Sequence, residues 1–129
     1  MNIGISVRPG LPFDEAVART RAALQEQGFG VLTEIDVRST MREKLGEQME
    51  DYLILGACNP PLAHRALGVD RRIGLLLPCN VVVRANNGAT IVEALDPEIM
   101  VSATGEPGFE PIAKEAADRL RAALETLTA

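Results

Sequence analysis

The sequence predicts a two-layer α+β domain, in which a mostly antiparallel sheet of about five strands is covered on one face by two long helices. Three observations predict it. Apolar residues alternate with polar residues over 2–7, which is typical of a half-buried strand. Apolar residues recur every three or four positions over 12–27 and 109–127, as in amphipathic helices. Asn86-Asn87-Gly88 is typical of a hairpin turn between two antiparallel strands.

Residues 1–129 are predicted to form a single α+β domain with the order β-α-β-(short α)-β-(short α)-β-β-α. The predicted strands are 2–7, 29–37, 52–57, 74–85 and 89–95. The predicted helices are the long 12–27 and 109–127 and the short 40–46 and 60–68. Residues 97–108 are rich in proline and glycine and predict a loop, with a short extended piece at Ile99 and Val101.

Local sequence signals bear on three of these elements. Thr40 and Glu43 have the spacing of a capping box, which predicts that the first short helix begins there. Asn59 is a favourable cap for the second short helix, and Pro60 suits its first position. Pro78 lacks the amide proton that a central ladder requires, so its strand is predicted to lie at an edge or to contain a bulge or a break.

The composition argues against nucleic acid as a partner. The chain carries a net charge of -5, and its 13 basic residues are scattered among 18 acidic ones. Binding to phosphates needs a cluster of Lys and Arg, and binding to single strands needs aromatic platforms. Aromatic residues make up only 3% of the chain, so its core is predicted to be aliphatic.

The sequence is expected to belong to a soluble, cytoplasmic protein. Its first residues show no basic region followed by an apolar core, so they do not resemble a secretory signal. No apolar run approaches the roughly 20 residues that cross a bilayer, so no membrane partner is expected. The two cysteines are therefore expected to be free thiols in a reducing compartment.

Several runs of residues carry a resemblance to a known family. The strings Gly-Ala-Cys-Asn-Pro at 56–60 and Leu-Pro-Cys-Asn-Val at 77–81 are the most specific, and runs at 28–37, 44–46 and 66–67 accompany them. With these runs, nearly the whole chain resembles the bacterial and archaeal family of unknown function DUF302. The resemblance implies a small α+β fold related to the TATA-binding-protein-like class, and a tendency to form homodimers. It implies no established activity, and the class name carries no DNA-binding function.

Cys58 is the first candidate for a reactive group. It ends the third predicted strand and precedes Asn59-Pro60, so its sulfur is expected near the N-terminus of a helix. The positive end of a helix dipole favours a thiolate and would lower the pKa of the thiol. The same position would suit a small anion. The plainer interpretation, which stays open, is a buried cysteine that acts as a small apolar residue.

Cys79 and His64 are candidates to act with Cys58. If the third and fourth strands are neighbours, the two thiols would approach each other and could cycle to a disulfide or hold a soft metal. His64 would then be a general base or a third ligand, although a lone histidine on a short helix is more often a surface residue. The spacing of the cysteines matches no standard metal motif, so no metal site is predicted.

Four polar residues complete the candidate ligand-binding set. Asn59 and Asn80 follow the two cysteines, and each amide could point into a pocket or cap backbone groups. Asp36 and Lys44 flank the first short helix and could contact a polar ligand. The plainer interpretation of that pair is a cap and an exposed ion pair that contributes less than about 1 kcal/mol.

Three hypotheses of function remain open on the sequence alone. The first is a small homodimer that binds a small ligand or anion near Cys58-Asn59 and Cys79-Asn80, with a sheet edge beside Pro78 as a dimer surface. The second is a redox or metal-handling protein that uses the two thiols and His64. The third is a structural or partner-binding protein with core cysteines. No standard catalytic or nucleotide-binding motif is present, so the sequence identifies neither a reaction nor a cofactor.

Overall fold

The computed structural model describes residues 3–128 and has the predicted α+β class. Its strands are β1 Gly4–Val7, β2 Gly30–Asp36, β3 Tyr52–Cys58, β4 Cys79–Asn86 and β5 Ala89–Leu95. Its helices are α1 Phe13–Glu26, α2 Val37–Leu45, α3 Pro60–Val69, α4 Ile99–Thr104 and α5 Glu110–Glu125, with 3₁₀ turns at Arg71–Leu76 and Pro107–Phe109. Within the described residues, no helix is long and apolar enough to cross a membrane.

The sheet has five strands in the order β1-β5-β4-β3-β2, and every neighbouring pair is antiparallel. The predicted turn joins β4 to β5, with positive φ at Asn87 and Gly88 (51° and 82°). Since β3 pairs with β4, the end of β3 lies beside the beginning of β4, and Ala57 is opposite Cys79. This register brings the two Cys-Asn segments of the sequence to the same end of the sheet.

The two long helices cover one face of the sheet, as predicted. Leu24 of α1 and Leu120 and Leu124 of α5 are buried against Leu55 and Val81 of the central strands. Both helices place an apolar stripe on the sheet, and several positions in these stripes are alanines, which allow close approach. This main cluster is the larger of two apolar clusters in the described chain.

A second apolar cluster lies at the end of the sheet where β3 finishes and β4 begins. It joins α3, the first 3₁₀ turn, α4 and the beginning of α5 around the fully buried Phe109. Its buried members are Leu62, Ala66, Ile73, Met100, Phe109, Ile112 and Ala116. The boundary between the two clusters therefore passes directly under the Cys-Asn strand ends.

The prediction of a loop with an extended piece over residues 97–108 was wrong, because Ile99–Thr104 forms α4. Met100 is buried in the second cluster, and Gly105 ends the helix with a φ of 69°. Pro97 and Pro107 lie outside the helix on either side, so they do not interrupt it. A helix of six residues is too short to show a convincing helical period in a sequence.

The fourth strand begins at Cys79 instead of residue 74. Pro78, which follows a cis peptide bond, immediately precedes the strand and marks a break. The apolar residues before it do not join the ladder, because Ile73, Leu76 and Leu77 pack into the second cluster. β4 lies between β3 and β5, so the expected sheet edge beside Pro78 does not exist. The edge strands are β1 and β2.

The expected capping box at Thr40 was also wrong. The helix α2 begins three residues earlier, at Val37, and the carboxylate of Asp36 caps it by accepting a hydrogen bond from the amide of Ser39 at 2.9 Å. Thr40 lies within the helix, and its hydroxyl donates to the carbonyl of Asp36. The hydrogen bond from Ser39 is the main reason why the pKa of Asp36 is lowered. As predicted, Gly46 ends the helix with a positive φ.

Candidate functional site

A small cavity lies at the boundary between the two apolar clusters, and we call it the strand-end cavity. Its volume is about 20 Å³. Its walls come from the end of β3, the beginnings of α3 and β4, and parts of α4 and α5. The lining residues are Phe29, Ala57, Cys58, Asn59, Leu62, Ala63, Ala66, Leu77, Cys79, Met100, Ile112 and Ala116. Only two thiols and one amide interrupt an otherwise apolar surface.

Asn59 connects three parts of the fold at this cavity. Its side-chain oxygen accepts a hydrogen bond from the amide of Leu62 at 3.2 Å and so caps α3, as predicted. The side chain is buried, and its amide nitrogen lies against Gly28 in the turn between α1 and β2. A Cβ at Gly28 would lie 2.9 Å from that nitrogen, and the φ of Gly28 is +83°. Because glycine has no Cβ, the turn at Gly28 can lie in direct contact with the Asn59 side chain.

The beginning of α3 offers no backbone donor for an anion. Pro60 and Pro61 have no amide proton, and the amide of Leu62 is already bonded to Asn59. The next amide, that of Ala63, donates to the carbonyl of Asn59. An anion at a helix N-terminus is held mainly by free amides, so this helix lacks the usual means of binding one.

The thiol of Cys58 is half-buried, and burial raises its pKa. This direction is opposite to the expected effect of the α3 dipole. Burial also raises the pKa of Cys79, to about 11, with a smaller contribution from the nearby Cys58. A raised pKa favours the protonated form of both thiols, which is less nucleophilic than the thiolate.

The two cysteines are near each other but are not opposite each other in the ladder. Cys79 pairs with Ala57, and Cys58 pairs on its other side with Gly30 of β2. Cys58 is therefore one residue out of register with Cys79, so the two cysteines do not form a directly opposed cross-strand pair.

The remaining predicted site residues are not part of the cavity lining. Asn80 is exposed and follows Cys79 in the strand, so it faces away from the helices. His64 is exposed on α3. Asp36 lies opposite Leu53, at the other end of β3 from Cys58, and the exposed Lys44 lies near the end of α2. Within the described residues, no group of three metal-ligating side chains is close enough to hold a metal.

Sequence reasoning missed most of the cavity lining. Phe29, Met100, Ile112 and Ala116 come from segments far apart in the chain. Their only sequence signal was an apolar residue in a core position, which does not distinguish a cavity wall from a well-packed core.

Replacing Asn59 with alanine is expected to lower the free energy of unfolding by about 1–2 kcal/mol, because α3 loses its cap and the Leu62 amide loses its partner. Chemical denaturation of the two chains measures this difference. Asn80→Ala is the matched control, since Asn80 is exposed, and it is expected to change the free energy by less than about 0.5 kcal/mol. Equal effects of the two substitutions would contradict the structural role of Asn59.

Comparison with known proteins identifies the family. No curated protein matches the chain. A solved structure, described as that of an uncharacterized conserved protein DUF302 from Bacillus stearothermophilus, is similar to it with a TM-score of 0.91 and 30% sequence identity, covering 97% of this chain and 98% of that chain. The family profile described as "Domain of unknown function DUF302" matches residues 5–127, and the chain therefore belongs to the DUF302 family.

Proposed function

We propose that this protein is a homodimeric binding module that holds a group of a small, neutral ligand in the strand-end cavity. The observation that carries the proposal is the lining itself, in which nine apolar residues surround Asn59 and two thiols. Ligand pockets commonly combine an apolar wall with a few polar groups that orient the ligand. Asn59 and the thiols are the groups available for that purpose.

The chemistry of the lining favours a neutral ligand. No carboxylate, lysine, arginine or histidine is among the lining residues. The beginning of α3 has no free amide for an anion, and burial keeps both thiols protonated. A charged ligand would lose its hydration there without gaining a partner of opposite charge. The sequence predicted a small ligand or an anion, and the lining favours a small neutral molecule over an anion.

The volume of the cavity limits how much of the ligand it can hold. A cavity of about 20 Å³ has room for roughly one water-sized group. Cys58 and Ala63 are only half-buried, so the lining reaches the surface beside them. The proposed ligand places one methyl, hydroxyl or thiol group in the cavity, and its remaining atoms lie outside against Cys58 and Ala63.

The test uses methanol, methanethiol and dimethyl sulfide as neutral probes and phosphate as the charged control, at millimolar concentrations. Backbone amide chemical shifts are measured by NMR. A neutral probe is expected to move the signals of Cys58, Ala63 and Ala116, and phosphate is not. Ala116→Val is the matched variant because its added methyl groups fill the cavity, and it is expected to abolish those shifts. If no neutral probe moves these signals, or if the shifts persist in Ala116→Val, the proposal is wrong.

The thiol-based alternative has less support. It needs an activated Cys58 paired with Cys79 or His64, whereas both thiols have raised pKa values and His64 is outside the cavity lining. The alternative gains support if mild oxidation of the folded chain produces a disulfide between Cys58 and Cys79. Recovery of two free thiols under the same conditions would contradict the thiol-based alternative, and the cysteines would then serve only as parts of the cavity wall.

A further inference from the structure

Asn59 carries a polar group that the fold does not use. Its side chain is buried, with the whole residue 8% exposed, and its oxygen accepts the hydrogen bond from the amide of Leu62. A backbone amide can donate to the oxygen of an asparagine but not to its nitrogen, so this bond fixes the orientation of the side chain. Among residues 3–128, the Asn59 nitrogen donates to no acceptor. Two N–H donors of a buried side chain are therefore left without a protein partner.

The protein places no acceptor next to this nitrogen where it lies against Gly28. After Asn59, the side chain nearest to a Cβ at Gly28 is Arg119, whose guanidinium nitrogen would lie 3.8 Å away. That guanidinium is also a donor, and it already binds the carbonyl of Gln27. In the described chain, the one side-chain oxygen or nitrogen that is both fully enclosed and unpaired is Thr20 Oγ1. The Asn59 nitrogen is therefore not fully enclosed, and a molecule the size of water can contact it.

The side chains that line the strand-end cavity offer hydrogen-bond donors but no strong acceptor that is free. Apart from Asn59, their polar groups are the thiols of Cys58 and Cys79. Burial favours the protonated form of both thiols, so each is a weak S–H donor and its sulfur only a weak acceptor. The oxygen of Asn59 is already bonded to Leu62. A ligand that brings an acceptor can therefore satisfy Asn59, whereas one that buries a further donor finds no comparable partner.

We infer that the ligand of the strand-end cavity carries an acetyl group, whose methyl enters the cavity and whose carbonyl oxygen accepts a hydrogen bond from the side-chain nitrogen of Asn59. A cavity of about 20 Å³ has room for a methyl, and its nine apolar lining residues favour a methyl over a hydroxyl or thiol, which would bring a donor hydrogen. A carbonyl oxygen supplies the acceptor without a charge. This inference rests on the binding module of the proposed function and specifies the chemical class of its ligand.

The first test compares acetone, the simplest neutral probe with an acetyl group, with dimethyl sulfide, which has two methyl groups but no strong acceptor. The dissociation constant of each probe is measured from the backbone amide signals of Cys58, Ala63 and Ala116. The ratio of the two constants is then compared between the unmodified chain and Asn59→Asp, so that differences in the hydration of the probes cancel. Aspartate keeps an oxygen to cap α3 but removes the two donors. The variant is expected to lose at least roughly fivefold of the relative affinity for acetone.

Asn80→Asp is the matched control. It makes the same chemical change at an exposed residue outside the cavity lining, so the ratio is expected to stay unchanged. Circular dichroism checks that both variants fold. A second measurement needs no variant: in the unmodified chain, acetone is expected to shift the side-chain amide protons of Asn59, and dimethyl sulfide is not.

The outcomes separate this inference from the proposed function. If neutral probes move the backbone signals but acetone leaves the side-chain protons of Asn59 unmoved, the acetyl group is wrong and the binding module stands. The same conclusion follows if folded Asn59→Asp keeps the ratio of the unmodified chain. If no neutral probe, acetone included, moves the backbone signals, the proposed function fails and the acetyl group fails with it.

Discussion

Replacing Phe109 with alanine is expected to lower the free energy of unfolding by about 3–5 kcal/mol. Phe109 is 1% exposed, and it is the only aromatic residue among the buried members of the second cluster. Its removal leaves a cavity among Leu62, Met100 and Ile112, which are anchored in different helices and cannot all move inward. For a chain of this size the change corresponds to a fall in Tm of roughly 10 °C or more, which calorimetry measures.

The same substitution is expected to increase the alkylation rate of Cys79 in the folded chain, because the second cluster forms one wall of the strand-end cavity. Leu24→Ala is the matched control. It also removes a fully buried side chain, but from the main cluster, and Leu24 is not itself a lining residue of the cavity. If Phe109→Ala lowers the free energy by less than about 1 kcal/mol, or if Leu24→Ala exposes Cys79 to the same extent at equal stability, the assigned role of the second cluster is wrong.

Stability is expected to fall as the pH rises from about 9 to about 11, with Cys79 as the main cause. Its pKa rises from an ordinary value of 9.0 to about 11 in the folded chain, because burial penalises the thiolate. Below pH 9 the thiol is protonated in both states, and its contribution to stability is complete. Between the two values only the unfolded chain loses the proton, which favours unfolding by up to about 2–3 kcal/mol.

The pH dependence is measured by urea denaturation at pH 8 and at intervals up to pH 11. Cys79→Val is the control variant, since valine suits a central strand and the adjacent cavity has room for part of its extra volume. In this variant most of the decline in stability with pH is expected to disappear. The part of the decline that Cys58 causes is expected to remain, because burial also raises the pKa of that thiol. An equal decline in both chains would show that Cys79 is not responsible.

The main architecture was predictable because its elements have long, regular patterns. The stripes of α1 and α5 extend over 14 and 16 residues, and the Asn-Asn-Gly turn defines the β4–β5 hairpin. The cap of α3 was predictable for a related reason: Asn59 acts on an amide three residues away. These features depend on spacing within one segment, which a sequence displays directly.

The errors concern features that depend on packing. The apolar run before Pro78 resembled part of a strand, but Ile73 and Leu76 pack in the second cluster and are not part of the sheet. Apolar runs of this length suit a strand or a buried turn equally well, and only the surrounding fold decides between them. The thiolate considered at Cys58 is disfavoured for a different reason, because burial raises the pKa of its thiol. The dipole argument considered the direction of α3 but not burial of the sulfur.

The order of the strands also distinguishes pairings between strands that follow each other in the chain from a pairing between strands that are far apart in the chain. From β2 to β5, each strand pairs with the next one along the chain, as in a meander. The strand β1 instead pairs with β5, and its Val7 must reach Val92. Bringing such distant segments together carries a larger loop-closure entropy, although this cost grows only slowly with length. The N-terminal strand therefore completes a sheet whose other four strands can assemble from neighbours, and its position depends on β5 being in place.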